Sequence, residues 1–353
     1  GSIPMFDCQE PFTQQELSWT ALADTLLEQA LTDFQNQTVS TYQGTVDLVD
    51  LEQTEQKIID MEKKLEKQQL SWRLTSSQVS KINQELKQNN GKTKVTGNLK
   101  NWLQQAIKIS KDSYADGRNT VDPTIGALTK LWDFESSNPK VPDASKIKKA
   151  ISGDLSENSQ HVTVKDNGEI LACDKNTKID LGAYGKGIGT DEAIKIIKKD
   201  TEITGAMVAL GGSIAVYGEK SDGSDWNVGI QDPNGKDGEV LGGIKVKSGT
   251  SISTSGDYEK TFTDKKTGKR YFHILDSKTG YSVKTDIRSC TIICNSGLNA
   301  DGLSTACFSL GVKKSQKLLK KYNAKAVFVD KNNKVYVSDG VEFTLTAKNY
   351  KIV

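Results

Sequence analysis

Lys178-Ile-Asp-Leu-Gly-Ala-Tyr-Gly-Lys-Gly187 carries an apolar strand end into glycine-rich backbone, and a helix is then predicted from Gly187 to Lys199. Beyond it, Met207-Val-Ala-Leu210 reads as a strand running into the paired glycines Gly211 and Gly212. Strand, glycine turn, helix and strand in one stretch indicate a mixed α/β chain. The same texture extends outward from it. Val162–Val164, Trp226–Ile230 and Ser289–Cys294 are short β-rich segments separated by glycine and aspartate turns, and helices are predicted at Ala300–Gly311 and Lys313–Tyr322. The fold class that follows is mixed α/β (α+β), with mixed sheets flanked by helices.

Towards the N-terminus the pattern is helical. Leu17, Leu22, Leu26, Leu27, Ala30, Leu31 and Phe34 predict an amphipathic helix within residues 11–36. A highly charged helix is expected over 50–68 and a third over Asn98–Ala115. Residues 70–83 between them are too polar for core and too regular for a linker. Ser136–Asp143, with two prolines, reads as a surface connection. The chain therefore divides into an N-terminal helical segment, 1–45, and a main domain, 46–353.

With 353 residues, 35% of them hydrophobic, the chain has ample material for a large buried core. Its 47 basic and 45 acidic residues leave a net charge of +2, which lacks the electrostatic footprint of a nucleic-acid binder. The lysine runs at Lys146, Lys148, Lys149 and at Lys313, Lys314, Lys317, Lys320, Lys321 are expected on solvated helix faces. No stretch approaches the ~20 apolar residues of a membrane helix. Five cysteines without a CxxC pair suggest neither a disulfide framework nor a zinc site, and Cys290 and Cys294 read as small core residues. There are only two histidines, His161 and His273.

Several segments carry chemistry. In Val121-Asp-Pro-Thr…Leu131-Trp-Asp-Phe134 a turn leads into a short helix ending in two aromatics, which are either core or the wall of a pocket for a planar ring. The glycines of 178–187 open a helix whose N–H groups suit phosphate, although neither Walker A nor GxGxxG spacing is present. Leu210-Gly-Gly212 is a tight turn. Ser253-Thr-Ser-Gly-Asp-Tyr258 gathers hydroxyls, a carboxylate and a glycine. Tyr271-Phe-His-Ile-Leu-Asp276 places His273 just inside a strand. On a helix, Asp301 and Thr305 fall at i and i+4 and share a face, where a carboxylate and a hydroxyl suit a hard cation such as Mg²⁺. Helix capping by Asn299 or Asp301 is the alternative, and it explains one residue of the pair.

Taken in order, these segments resemble the ApbE-type flavin transferases, and Leu70-Ser-Trp-Arg…Ser-Lys-Ile-Asn83 resembles that family's serine-rich segment ending in asparagine. The match covers roughly residues 45–350. The resemblance implies an FAD cleft between two subdomains and Mg²⁺-dependent transfer of FMN from FAD to a threonine or serine of a partner flavoprotein, with release of AMP. It implies metal ligation by the Asp301 carboxylate, the Thr305 hydroxyl and the Ala183 carbonyl. FAD contacts would come from Trp72, Trp132, Asp133, Phe134, Asp180, Lys186, Thr254, Ser255, His273 and Ile274. The acceptor hydroxyl needs a base, which His273 or Asp257 would provide. The implied partner is a membrane-associated redox subunit bearing a flavinylation motif. An extracytoplasmic lipoprotein is the location the family favours, a cytoplasmic one the alternative.

The chain departs from the family at Ser277, where a proline is usual, and lacks the N-terminal Met-Gly-Thr, for which Met5-Phe-Asp7 is the expected substitute. Two other functions share the same residues: an FAD pyrophosphatase that uses water as acceptor, and a non-catalytic flavin-binding protein.

Overall fold

The computed structural model describes residues 39–43, 48–152, 161–220, 222–236 and 238–353. Its helices are α1 (Leu48–Lys64), extended by a π-helical turn over Leu65–Leu70, then α2 (Gln78–Gln88), α3 (Gly97–Asp112), α4 (Gly126–Trp132), α5 (Ala144–Ser152), α6 (Gly185–Ile197) and α7 (Gly297–Lys321). The first strands are β1 (Val39–Gln43), β2 (Lys92–Lys94), β3 (Val162–Val164), β4 (Glu169–Ala172), β5 (Gly205–Leu210), β6 (Ser213–Gly218), β7 (Trp226–Gln231) and β8 (Val240–Val246). They are followed by β9 (Ser251–Gly256), β10 (Thr261–Thr263), β11 (Arg270–Phe272), β12 (Ile287–Cys294), β13 (Lys325–Asp330), β14 (Lys334–Val337), β15 (Glu342–Leu345) and β16 (Lys351–Ile352).

An eight-stranded sheet in the order β1-β5-β6-β9-β12-β13-β14-β16 forms the centre. Every neighbouring pair in it is antiparallel except β14–β16. Alternation along the strands separates two cores. Cys290 and Ile292 of β12, with Ala326 and Phe328 of β13, face the helical layer and join Leu99, Leu103, Ile109, Leu303 and Phe308. Val327 and Val329 face the other way, where Trp226, Val228, Ile230, Leu241 and Ile244 of β7 and β8 close the sheet with β15. The mixed α/β class expected from the sequence is the class observed.

Helix boundaries follow local chemistry. α2 is capped by Ser77, whose hydroxyl accepts from the Ser80 amide at 3.0 Å. Val79, Ile82 and Leu86 then recur on one face and are all buried. The expectation that 70–83 stays outside the core is therefore corrected: its polar residues hide an apolar stripe. The two helices expected at Ala300–Gly311 and Lys313–Tyr322 are the two halves of α7, which Gly311 at φ 77° breaks apart at the expected boundary. Lys178 forms a single bridge to Ile125 instead of ending a strand. Both lysine runs are exposed, while Ile147 between the first three is buried. The helix expected within 11–36, the Met5-Phe-Asp7 substitution and most of segment 1–45 lie outside the described residues.

Two glycines decide how the helical layer meets the sheet. α6 and α7 approach backbone to backbone near their N-termini: a Cβ on Gly187 would lie 2.0 Å from the Gly297 carbonyl oxygen, and one on Gly297 would lie 2.3 Å from that of Gly187. Only glycine permits this contact. Asp191 of α6 secures it, accepting from the Gly297 and Leu298 amides at 2.7 and 3.0 Å.

Candidate active site

That close approach sets Asp301 at the junction of three segments. One of its oxygens accepts from the Gly187 amide at 2.9 Å and the other from the Ser253 hydroxyl at 3.0 Å. The glycine-rich loop, β9 and α7 thus converge on one carboxylate, which is 5% exposed. Burial raises its pKa, against the nearby charge of Lys186 and the two donors. Thr305 lies one turn on, its hydroxyl 3.3 Å from that of Ser255. The capping alternative does not apply to Asp301: Ser296 caps α7, accepting from the Asn299 amide at 3.2 Å.

The donor set suits a hard cation. Gly187 stands in the first turn of α6, where amides have no acceptor within the helix, and its amide is satisfied by Asp301. A carboxylate, a hydroxyl and a carbonyl are oxygen donors of the kind Mg²⁺ takes together with substrate phosphates. Among the described residues there is no group of three or more His, Cys, Asp or Glu that could hold a metal.

His273 follows β11, one residue beyond the strand end. Its Nδ1 lies 3.2 Å from the Glu259 carbonyl oxygen. A carbonyl only accepts, so Nδ1 carries the proton and Nε2 keeps a lone pair. Burial pushes the imidazole pKa down to about 4, helped by Lys260 and Lys186 and opposed by Glu259. The ring is therefore neutral at physiological pH with a lone pair on Nε2, and it is a weaker base than an imidazole in water.

Asp257, the other candidate base, is committed elsewhere. Its carboxylate accepts from Arg288 Nε at 2.8 Å and lies 3.6 Å from Arg270, which also donates to its carbonyl. A carboxylate so paired with two guanidiniums anchors the loop after β9, which leaves His273 as the less encumbered of the two expected bases.

The remaining predicted residues divide between site and support. Asp180 is buried, accepts from the Gly182 amide at 2.8 Å, and its own amide donates to the Pro123 carbonyl at 2.8 Å, which ties the Asp-Pro-Thr turn to the glycine-rich loop. Lys186 is half-buried, and its charge bears on both Asp301 and His273. Trp72 is half-buried, with the Arg73 guanidinium 4.1 Å above its ring. Arg73 also pairs with Glu135 at 2.6 Å and Asp133 at 3.4 Å, and Lys260 meets Glu135 at 2.6 Å.

Trp132 belongs to the core. It is 1% exposed, stacks on Phe134 at 5.4 Å, donates from Nε1 to the Gly280 carbonyl at 2.8 Å and packs with Tyr271 and Tyr281. Its ring lies inside this aromatic cluster and is not an open wall for a ligand. Ile274 is likewise buried. Thr254 turns to the opposite face of the sheet, its hydroxyl 2.8 Å from that of Thr291, so only its backbone is presented on the helical side. Ser277, at the family's proline position, donates to the Asn119 carbonyl at 3.2 Å.

Sequence reasoning missed Ser253, the Gly187 amide and the Glu259 carbonyl. Alternation along Ser251-Ile-Ser-Thr-Ser255 was a usable signal for Ser253, since it shares a face with Ser255. The Gly187 amide belongs to the helix start that the glycines of 178–187 indicated, though as a donor to phosphate and not to Asp301, and the Glu259 carbonyl left no trace in residue identity.

Comparison with known proteins agrees with this architecture. The ApbE family model matches residues 34–328. A protein of Treponema pallidum (strain Nichols) named FAD:protein FMN transferase is 32% identical over 232 residues, which is 62% of this chain and 63% of that protein. A Klebsiella pneumoniae (strain 342) protein of the same name is 27% identical over 252 residues, 70% of this chain and 76% of the relative. The chain thus spans just under two thirds of the Treponema relative's length. Among solved structures, an ApbE protein of Thermotoga maritima superposes with a TM-score of 0.72 at 28% identity, covering 85% of this chain and 93% of its own. The apo form of the Pseudomonas stutzeri flavinyl transferase ApbE gives 0.64 at 26% identity, with 88% and 90% covered. The fold is the one these flavin transferases adopt. The chain belongs to the ApbE family.

Proposed function

We propose that this chain is an FAD:protein FMN transferase that moves the FMN half of FAD to a threonine or serine hydroxyl of a partner flavoprotein and releases AMP. The observation that carries this reading is the convergence of Gly187, Ser253 and Asp301, which brings three separate family motifs to one buried carboxylate. Asp301, Thr305 and the Ala183 carbonyl would hold Mg²⁺, which would supply charge neutralisation at the FAD pyrophosphate. His273 Nε2 takes the proton of the acceptor hydroxyl. The freed oxygen attacks the FMN phosphorus, a new P–O bond forms, and the P–O bond to the AMP phosphate breaks with AMP leaving. Lys186 adds positive charge beside the phosphates, and Asp180 and the glycine-rich loop orient them. The acceptor expected from the resemblance is a membrane-associated redox subunit.

Incubation with FAD, Mg²⁺ and a partner bearing an Asp-x-x-(Ser/Thr)-Gly-Ala-Thr-like segment tests the reading. Flavin fluorescence that stays with the partner after denaturation is expected. Free FMN and AMP alone would identify a pyrophosphatase, and intact FAD retained in equal proportion a flavin-binding protein. Asp301→Ala is expected to lower Mg²⁺-dependent turnover by about 100-fold or more. Unchanged turnover would remove the metal assignment.

A further inference from the structure

β9 and α7 face each other with matched spacing. Same-face residues on a strand recur every ~6.6 Å, and four residues of helix advance ~6 Å. Ser253 on β9 therefore meets Asp301 on α7 at 3.0 Å, and Ser255 meets the next turn, its hydroxyl 2.7 Å from that of Ser304 and 3.3 Å from that of Thr305. Behind Ser253 stands Ser213 of β6, with its hydroxyl oxygen 2.7 Å away. Ser213 and Ser253 are each 1% exposed. Burying a hydroxyl is unfavourable unless its proton has a partner. An ionised carboxylate only accepts, so the Ser253 proton goes to Asp301 and the Ser213 proton goes to Ser253.

We propose that Ser253 is the positioning residue of the cation site, with Ser213 orienting it from behind. Ser253 holds one oxygen of Asp301 while the Gly187 amide holds the other, so the carboxylate plane is pinned at both ends. The lone pairs left over are the ones a cation would take, and Ser255 sets the Thr305 hydroxyl beside them. This inference rests on the reading of Asp301 as a metal ligand. Partners of this kind, once removed, lower metal affinity by about 10- to 100-fold in general.

The test is a Mn²⁺ titration of the full chain, with free Mn²⁺ followed by electron paramagnetic resonance and folding checked by circular dichroism. Wild type is expected to bind one Mn²⁺ and Asp301→Ala to lose it. Ser253→Ala is expected to bind about 10- to 100-fold more weakly, and Ser253→Thr, which restores the hydroxyl, within about threefold of wild type. No binding by wild type, or wild-type binding by Asp301→Ala, would overturn the metal reading itself. Loss in Asp301→Ala with unchanged affinity in Ser253→Ala would overturn the positioning role alone. If Ser253→Ala does not fold, Ser213→Ala decides: about threefold or greater weakening supports the relay, and unchanged affinity refutes it.

Discussion

His273 shows how a residue acquires a role from its surroundings. An imidazole in water titrates near pH ~6.5. Here burial and the charges of Lys260 and Lys186 lower it to about 4, while the Glu259 carbonyl fixes the proton on Nδ1. With His273 as the proposed base, its neutral form is the competent one, and the acid limb of kcat/KM is expected near pH 4 to 5. Lys260→Met removes one of the two cations, so that limb should move to higher pH; a profile identical to wild type would show that Lys260 does not act on the imidazole. The same shift has a stability consequence of defined sign. The unfolded chain protonates His273 below pH ~6.5 and the folded chain only near 4, so this residue's contribution falls as pH drops through that window and is constant above it. His273→Ala is expected to retain FAD while losing transfer, measured by equilibrium binding alongside turnover.

At the scale of elements, α1 and its π-helical extension contain a conflict between burial and polarity. Glu62 is 8% exposed, and neither carboxylate oxygen has a hydrogen-bond partner. Burial alone holds its pKa well above the usual carboxylate range. Replacing an unpartnered buried carboxyl by an apolar side chain of similar size removes the desolvation penalty. Glu62→Leu is therefore expected to raise stability by about 1–3 kcal/mol at pH 7 in chemical denaturation, and a loss of stability would refute the account. α7 makes the opposite use of polarity. Its first half carries Asp301, Ser304 and Thr305 on the side facing β9, and each has a partner. Gly311 then turns the second half so that Leu318 and Leu319 are buried and the lysines are exposed.

Across the whole molecule the central sheet separates chemistry from support. The site lies on the helical side, while the β7-β8-β15 sheet closes the other face around a second core. Phe308 belongs to the first core and meets Phe272 edge-on at 6.0 Å, next to His273. Leu241 is fully buried in the second. Truncating either is expected to cost about 2–5 kcal/mol of stability. Phe308→Ala should also weaken transfer, whereas Leu241→Ala, assayed well below its melting temperature, should leave the KM for FAD unchanged. Equal effects on catalysis would mean that the two faces are coupled.

The sequence by itself determined the mixed α/β class, because the strand and helix periods of 2 and 3.6 and the glycine turns are local properties. It also determined the pairing of Asp301 with Thr305, since i and i+4 share a helix face wherever the helix goes. Tertiary structure alone decided which partners each of these polar residues has. Asp257 and His273 looked alike as bases until Arg288 and Arg270 were seen to hold one and the Glu259 carbonyl the other. Trp132 and Thr254 joined the supporting frame through neighbours more than 35 residues away in sequence, namely Gly280 and Thr291. Ser253 and the Gly187 amide entered the site only through the packing of β9 and α6 against α7. A hydrogen-bond partner brought in by long-range packing leaves no periodicity to read.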